Sequence, residues 1–305
     1  MQLLSTIWLC YGSLSLFLTV LLIFLLQNRK LFSYSFYRLV QLDLLINAVC
    51  WIHTWPNRLK FTPDSVIYVL PVYEKVKFLA DWMDFASPLF FHLQSMSTIA
   101  ICAHRLTTAV WESSNAFWNK FYWMIYVGIV VLGFLVTGCF FLIEWHVYYF
   151  DYVTKTFLRV DLDETHATIQ ILFLMSFMIT YILIILVLGI CTVYHVQKRL
   201  DRHADQYKQV IRRISLIAAV KTAVNVLALL WHLTLMFLPF DYHYEVMMCV
   251  SDVMSFSMTF LLICLDTNVR TVMKSLTKLN FEFLTVNRVV SSTQAPVVIL
   301  NNNFR

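Results

Sequence analysis

Seven long apolar stretches joined by short polar links constrain this chain more than any other feature of it. The first, Ile7 to Leu26, is unbroken by a charged side chain. A helix of about 20 residues rises about 30 Å, the thickness of a bilayer's hydrocarbon core. Composition agrees: 13% of the 305 residues are charged, where soluble domains carry roughly a quarter. The apolar segments fill nearly the whole length and leave no room for a long soluble domain. The five glycines are scattered and form no phosphate-binding loop. The net charge of +5 is therefore no nucleic-acid signal, and its meaning depends on which loops hold the charges.

The expected fold is an all-α membrane protein, a seven-transmembrane helix bundle. Its spans fall at about 7–26, 35–55, 78–104, 122–143, 168–194, 214–238 and 245–265. The first lacks the basic n-region of a cleaved signal and is too long for its apolar core. Between the second and third spans lies a polar segment punctuated by Pro56, Pro63 and Pro71, expected as a loop. Further loops are expected at Leu106 to Phe121 and at Glu144 to Ala167, the latter acidic, with a basic linker at Lys198 to Arg213. Beyond the bundle, 266–284 reads as an amphipathic cytoplasmic helix. There Val272, Met273, Leu276, Leu279 and Phe283 alternate with Arg270, Lys274 and Lys278, a pattern suited to the lipids of the inner leaflet. Residues 285–305 read as a disordered cytoplasmic tail.

Loop charge predicts the orientation. Of the 23 lysines and arginines, 17 sit in the tail, in the links after the odd-numbered spans, or at their junctions, and 6 on the opposite side. Positive residues stay cytoplasmic, so the N-terminus is expected outside and the tail inside. Seven spans of that polarity match the architecture of a G-protein-coupled receptor in the plasma membrane. All seven cysteines fall within spans, where they are expected as buried thiols.

The third span differs from its neighbours. It carries His92, Gln94, Ser95, Ser97 and Thr98 at depths where lipid does not tolerate them, and ends in His104-Arg105. Such groups belong inside a bundle. His92, His232 and Asp252 fall at one depth of the third, sixth and seventh spans. With Gln94 they are the candidate ligand-binding residues, although a structural hydrogen-bonding role fits His92 and Gln94 at least as well. Asp43 reads as part of a packing network and Lys221 as a cation that snorkels to the cytoplasm. Arg105, with His104, Arg212 and Arg213, is the candidate surface for coupling to a heterotrimeric G protein. Arg105 stands where rhodopsin-like receptors place the arginine of Asp-Arg-Tyr.

Several motifs narrow the class. Phe90 to Ser97 reads FFHLQSMS, Ala103 to Val110 reads AHRLTTAV with Trp118 downstream, Ser35 to Trp55 reads SFYRLVQLDLLINAVCWIHTW, and Asn268-Val269-Arg270 follows the seventh span. In these the chain resembles the nematode serpentine receptor class gamma family. Membership implies a chemosensory receptor, not an enzyme, with no cofactor, an unknown small-molecule or peptide ligand, and a heterotrimeric G protein as partner. Family members commonly carry a proline after the His-Arg pair, and Leu106 to Phe121 has none.

Rival classes meet specific obstacles. An opsin needs a lysine midway along the seventh span, and Glu245 to Leu265 has none. A seven-span zinc hydrolase needs clustered His and Asp ligands, and no two histidines stand four apart. An inverted channel would put the basic loops outside, and a transporter built from repeats would show internal duplication. A seven-span protein that binds a ligand or partner without coupling to G proteins stays open.

Overall fold

A computed structural model describes residues 2–28, 32, 34–60, 66–111, 113–143, 148–151, 156–159, 164–200, 216–217, 219–231 and 240–275. The helices are α1 (Gln2–Asn28), α2 (Ser35–Lys60), α3 (Val66–Lys75), α4 (Lys77–Val110), α5 (Ser114–Ile143), α6 (Glu164–Leu200), α7 (Ala219–Trp231), α8 (Phe240–Leu265) and α9 (Thr267–Ser275). Five of them, α1, α2, α4, α5 and α6, are long and apolar enough to cross a membrane. With α7 and α8 they make an all-α seven-helix bundle. A small hairpin interrupts the helical pattern: β1 (Tyr148–Asp151) pairs antiparallel with β2 (Thr156–Arg159), Tyr149 opposite Leu158. It occupies part of the stretch expected as an acidic loop.

The centre of the bundle is α4. Its spanning window is 67% buried, against 22% for α5 and for α6. The cause is its polar stripe: Ser97, Thr98, His92, Ser95 and Gln94 are all buried. Lipid tails are as apolar as leucine, so oily surface alone does not drive spanning helices together; packing and interhelical hydrogen bonds do. Every other core helix except α1 takes a hydrogen bond from this stripe or its extension. Apolar packing fills in between, with Tyr181, Ile182 and Ile185 of α6 meeting Leu229 of α7, and Phe91, Met96 and Ile99 of α4 laid against them. The α1 helix is held instead through α2 and α8. Gln41 Nε2 donates to the Ile23 carbonyl at 3.1 Å, and Thr19 and Thr259 hydroxyls meet at 2.7 Å.

Several expected loops are helix. The link expected at Leu106–Phe121 is largely helix, because α4 runs on to Val110 and α5 begins at Ser114. Thr107 and Thr108 stay helical by returning their hydroxyls to the Ala103 and His104 carbonyls, at 2.9 and 2.8 Å. Trp111 ends the helix in extended backbone, and Ser114 Oγ donates to its carbonyl at 2.8 Å. The proline-punctuated segment is also largely helical: Pro56 lies within α2 and Pro71 within α3. A proline inside a helix removes one hydrogen bond and crowds the carbonyl four residues back, a cost that bundled membrane helices tolerate because other groups can serve the freed carbonyl.

Two further expectations are corrected. Lys221 does not snorkel. It is 2% exposed, and its Nζ donates to the Met254 carbonyl at 3.2 Å and to Ser257 Oγ at 3.1 Å. The reason is the facing of α7, which turns this side chain toward α8. None of the cysteines is in a disulfide, but only Cys50 and Cys102 are buried; Cys10, Cys139 and Cys264 are exposed on the helix surfaces. A thiol is apolar enough for lipid. Residues 267–275 form α9, which belongs to a unit separate from 1–266, and in it Arg270 and Lys274 are exposed. Arg212, Arg213, His232, most of the basic linker and the tail beyond Ser275 lie outside the described residues.

Candidate functional site

At one end of the bundle the first turn of α2, the last third of α4 and the start of α5 converge on His104 and Arg105. His104 is fully buried. Its Nε2 lies 2.8 Å from Ser35 Oγ, and the same hydroxyl donates to Asn115 Oδ1 at 2.8 Å. A serine has one hydrogen to give. That hydrogen goes to Asn115, so Nε2 carries the one in the histidine contact. The ring packs edge-on against Trp118, centroids 5.1 Å apart, and Trp118 Nε1 in turn donates to Thr107 Oγ1 at 2.8 Å. His104 thus fastens α2 and α5 to α4, and it presents no surface.

Arg105 is buried differently. Its guanidinium carbon lies 3.5 Å from the centroid of the Phe36 ring, and the residue is 7% exposed. Its Nε and Nη2 have no hydrogen-bond partner among the described residues. Asp266, at the end of α8, accepts instead from Tyr37 Oη at 2.9 Å. An arginine held by an aromatic face, with donors unspent, is poised to change partners, because planar guanidinium stacks on rings as readily as it binds carboxylates.

Midway along α4 the polar stripe is spent on neighbours. His92 Nδ1 lies 2.8 Å from Tyr181 Oη of α6, its ring among Phe91, Phe177 and Tyr181. Gln94 Nε2 donates to Asn47 Oδ1 of α2 at 2.7 Å and to Ser255 Oγ of α8 at 3.1 Å. Ser97 Oγ donates to Asp43 Oδ1 at 2.7 Å, and Asn47 Nδ2 donates to Asp43 Oδ2 at 3.0 Å. Asn225 Nδ2 donates to Thr98 Oγ1 at 2.6 Å, and Cys102 Sγ lies 3.3 Å from Thr222 Oγ1, both joining α7 to α4.

Toward the opposite end, about 21 Å along α8 from Asp266 at 1.5 Å per residue, Asp252 is 1% exposed and paired with Arg58 of α2. Arg58 Nη2 donates to its Oδ1 at 2.7 Å. The guanidinium lies 4.9 Å from the Trp55 ring centroid. Trp51 sits 5.7 Å from Trp55 and 5.8 Å from Phe256, and Phe256 is 6.2 Å from Tyr11 of α1.

The predicted ligand-side residues do not all face one another. His92 turns to α6, Gln94 to α2 and α8, and Asp252 to α2. Sequence reasoning missed Arg58, Phe36, Tyr181 and Asn47. Of these only Arg58 carried a signal: a basic residue within a helix's length of a span that must find a buried acid, with Asp252 available.

A family model described as Srg family chemoreceptor matches residues 5–273. Over 272 residues the chain is 37% identical to serpentine receptor class gamma-53 of Caenorhabditis elegans, covering 89% of this chain and 91% of that one. It is 24% identical over 291 residues to serpentine receptor class gamma-47 of the same organism, covering 87% and 90%.

Proposed function

Because the chain belongs to the Srg family of chemoreceptors, we propose that it binds a small-molecule or peptide ligand from outside the cell and activates a heterotrimeric G protein. In this reading it lies in the plasma membrane with its N-terminus extracellular and its tail cytoplasmic. The uneven distribution of lysine and arginine supports that orientation. It makes the Arg105 end cytoplasmic and the Asp252 end the ligand side.

The observation that carries the reading is Arg105. It is buried on the face of Phe36, with Nε and Nη2 unpartnered, at the end of the central helix. When α7 swings outward, the guanidinium leaves the ring and meets a helix of the G protein. Arg212 and Arg213, in the basic linker that precedes α7 in sequence, are the further candidates for contact with the G protein. His104 positions Arg105 by clamping the starts of α2 and α5 to α4. On the ligand side Asp252 is the contact residue. His92 and Gln94 are interhelical ties that transmit movement.

A cell-based ligand screen with a promiscuous G-protein readout supplies the agonist. Arg105→Ala is then expected to abolish agonist-evoked signalling and leave surface insertion intact. Unchanged signalling removes Arg105 from the mechanism. Ligand binding without signalling in any G-protein background favours a receptor that does not couple.

A further inference from the structure

We propose that the Asp252 end of α1, α2 and α8 is an organic-cation site, and that its resting occupant is the chain's own Arg58. The proposal rests on the reading of that end as the ligand side and adds the ligand's chemical class: an amine or guanidinium.

Asp252 lies 1% exposed in an apolar helix, where a carboxylate requires a cation. Arg58 Nη2 donates to Oδ1 at 2.7 Å; Oδ2 is buried and accepts no hydrogen bond of good geometry among the described residues. Aromatic rings from three helices cluster at this end: Trp55 lies beneath the guanidinium, Trp51 packs against Trp55 and Phe256, and Tyr11 packs against Phe256. Trp51 is 6% exposed, and its indole adjoins the same carboxylate. A carboxylate beside a ring face that already carries a cation is the chemistry that recognises organic cations, since the face attracts positive charge and the acid fixes its position.

Arg58 is suited to be a removable occupant. It lies two residues before the end of α2, and its side chain is 11% exposed, against 1% for Asp252. It is therefore the outer member of the pair. Exchanging one cation for another keeps Asp252 neutralised, so the desolvation that makes buried ion pairs costly to break is not incurred again. The exchange does break the ion pair that ties the end of α2 to α8. The ligand's charge thereby becomes a mechanical signal.

Chemical rescue tests this on the full chain, purified in lipid nanodiscs. Arg58→Ala is expected to lower the melting temperature, and methylguanidinium to restore it saturably, above the effect of sodium chloride at matched ionic strength. The double variant Arg58→Ala/Asp252→Asn should show no rescue. Wild type should bind the ion about tenfold more weakly than Arg58→Ala, or weaker still, because Arg58 must first vacate a site it fills most of the time. If Arg58→Ala does not fold in isolation, methylguanidinium in the growth medium should restore its surface expression and not that of the double variant. Absence of saturable rescue, or equal rescue in the double variant, overturns the proposal. None of these readouts passes through a G protein. Rescue without signalling sinks the coupling mechanism alone, and signalling without rescue sinks the cation site alone.

Discussion

Replacing Phe36 by leucine tests whether Arg105 is held at rest by an aromatic face. The guanidinium carbon sits 3.5 Å from the ring centroid, with Phe36 1% and Arg105 7% exposed. A desolvated cation–π contact of this kind contributes about 2 kcal/mol. Leucine keeps an apolar side chain at the position and removes the ring face. If the contact exists only in the resting state, its loss shifts the resting–active equilibrium about 30-fold, at 1.4 kcal/mol per factor of ten. A receptor active about 1% of the time would become active about a quarter of the time. The assay is basal loading of radiolabelled GTPγS in membranes matched for surface receptor. Phe36→Tyr keeps the face and should stay quiet. Phe36 also packs against Tyr37 and His104, at 5.5 and 6.1 Å, so Phe36→Leu costs in addition about 1 kcal/mol of global stability, read separately by denaturation. Unchanged basal loading in Phe36→Leu, or equal elevation in Phe36→Tyr, refutes the latch.

Tyr181→Phe removes the hydroxyl that meets His92 at 2.8 Å; interhelical bonds of this type contribute about 0.6 kcal/mol and at most about 1.7. A double-mutant cycle with His92→Phe under detergent denaturation should return a coupling in that range, and a coupling of zero would show that the contact ties nothing. Gln94→Leu deletes two hydrogen bonds at once and leaves Asn47 Oδ1 buried without its donor, a loss of about 1–3 kcal/mol that the same titration would report. A Cβ at Gly12 would lie 2.7 Å from Trp51 Nε1. Gly12→Ala should therefore displace the indole, cost about 1–3 kcal/mol and alter tryptophan fluorescence, whereas an unchanged spectrum and midpoint would mean that the ring yields freely.

The motifs from Ser35 to Trp118 were enough to place the chain in its family. The polar residues of α4 were enough to make it central, since groups that lipid rejects must face protein. The same local reading failed where helices continue past their apolar cores. Thr107, Thr108, Ser114 and Asn115 look like loop in a string of letters, yet their side chains bond to nearby carbonyls and to Ser35 Oγ across the bundle. Lys221 looked like a snorkelling cation because its depth was legible and its facing was not.

Hydropathy and charge are sums over neighbouring residues, so the amino-acid sequence by itself determined which segments are apolar enough to cross a membrane and which links gather positive charge. Partnership is set by the rotation of each helix about its own axis and by its height against the next. That is why only the tertiary structure decided that Asp252 meets Arg58, that His92 meets Tyr181, and that Arg105 rests on Phe36. Those residues lie tens to nearly two hundred positions apart, and a turn of about 100° in one helix would have given each of them a different partner.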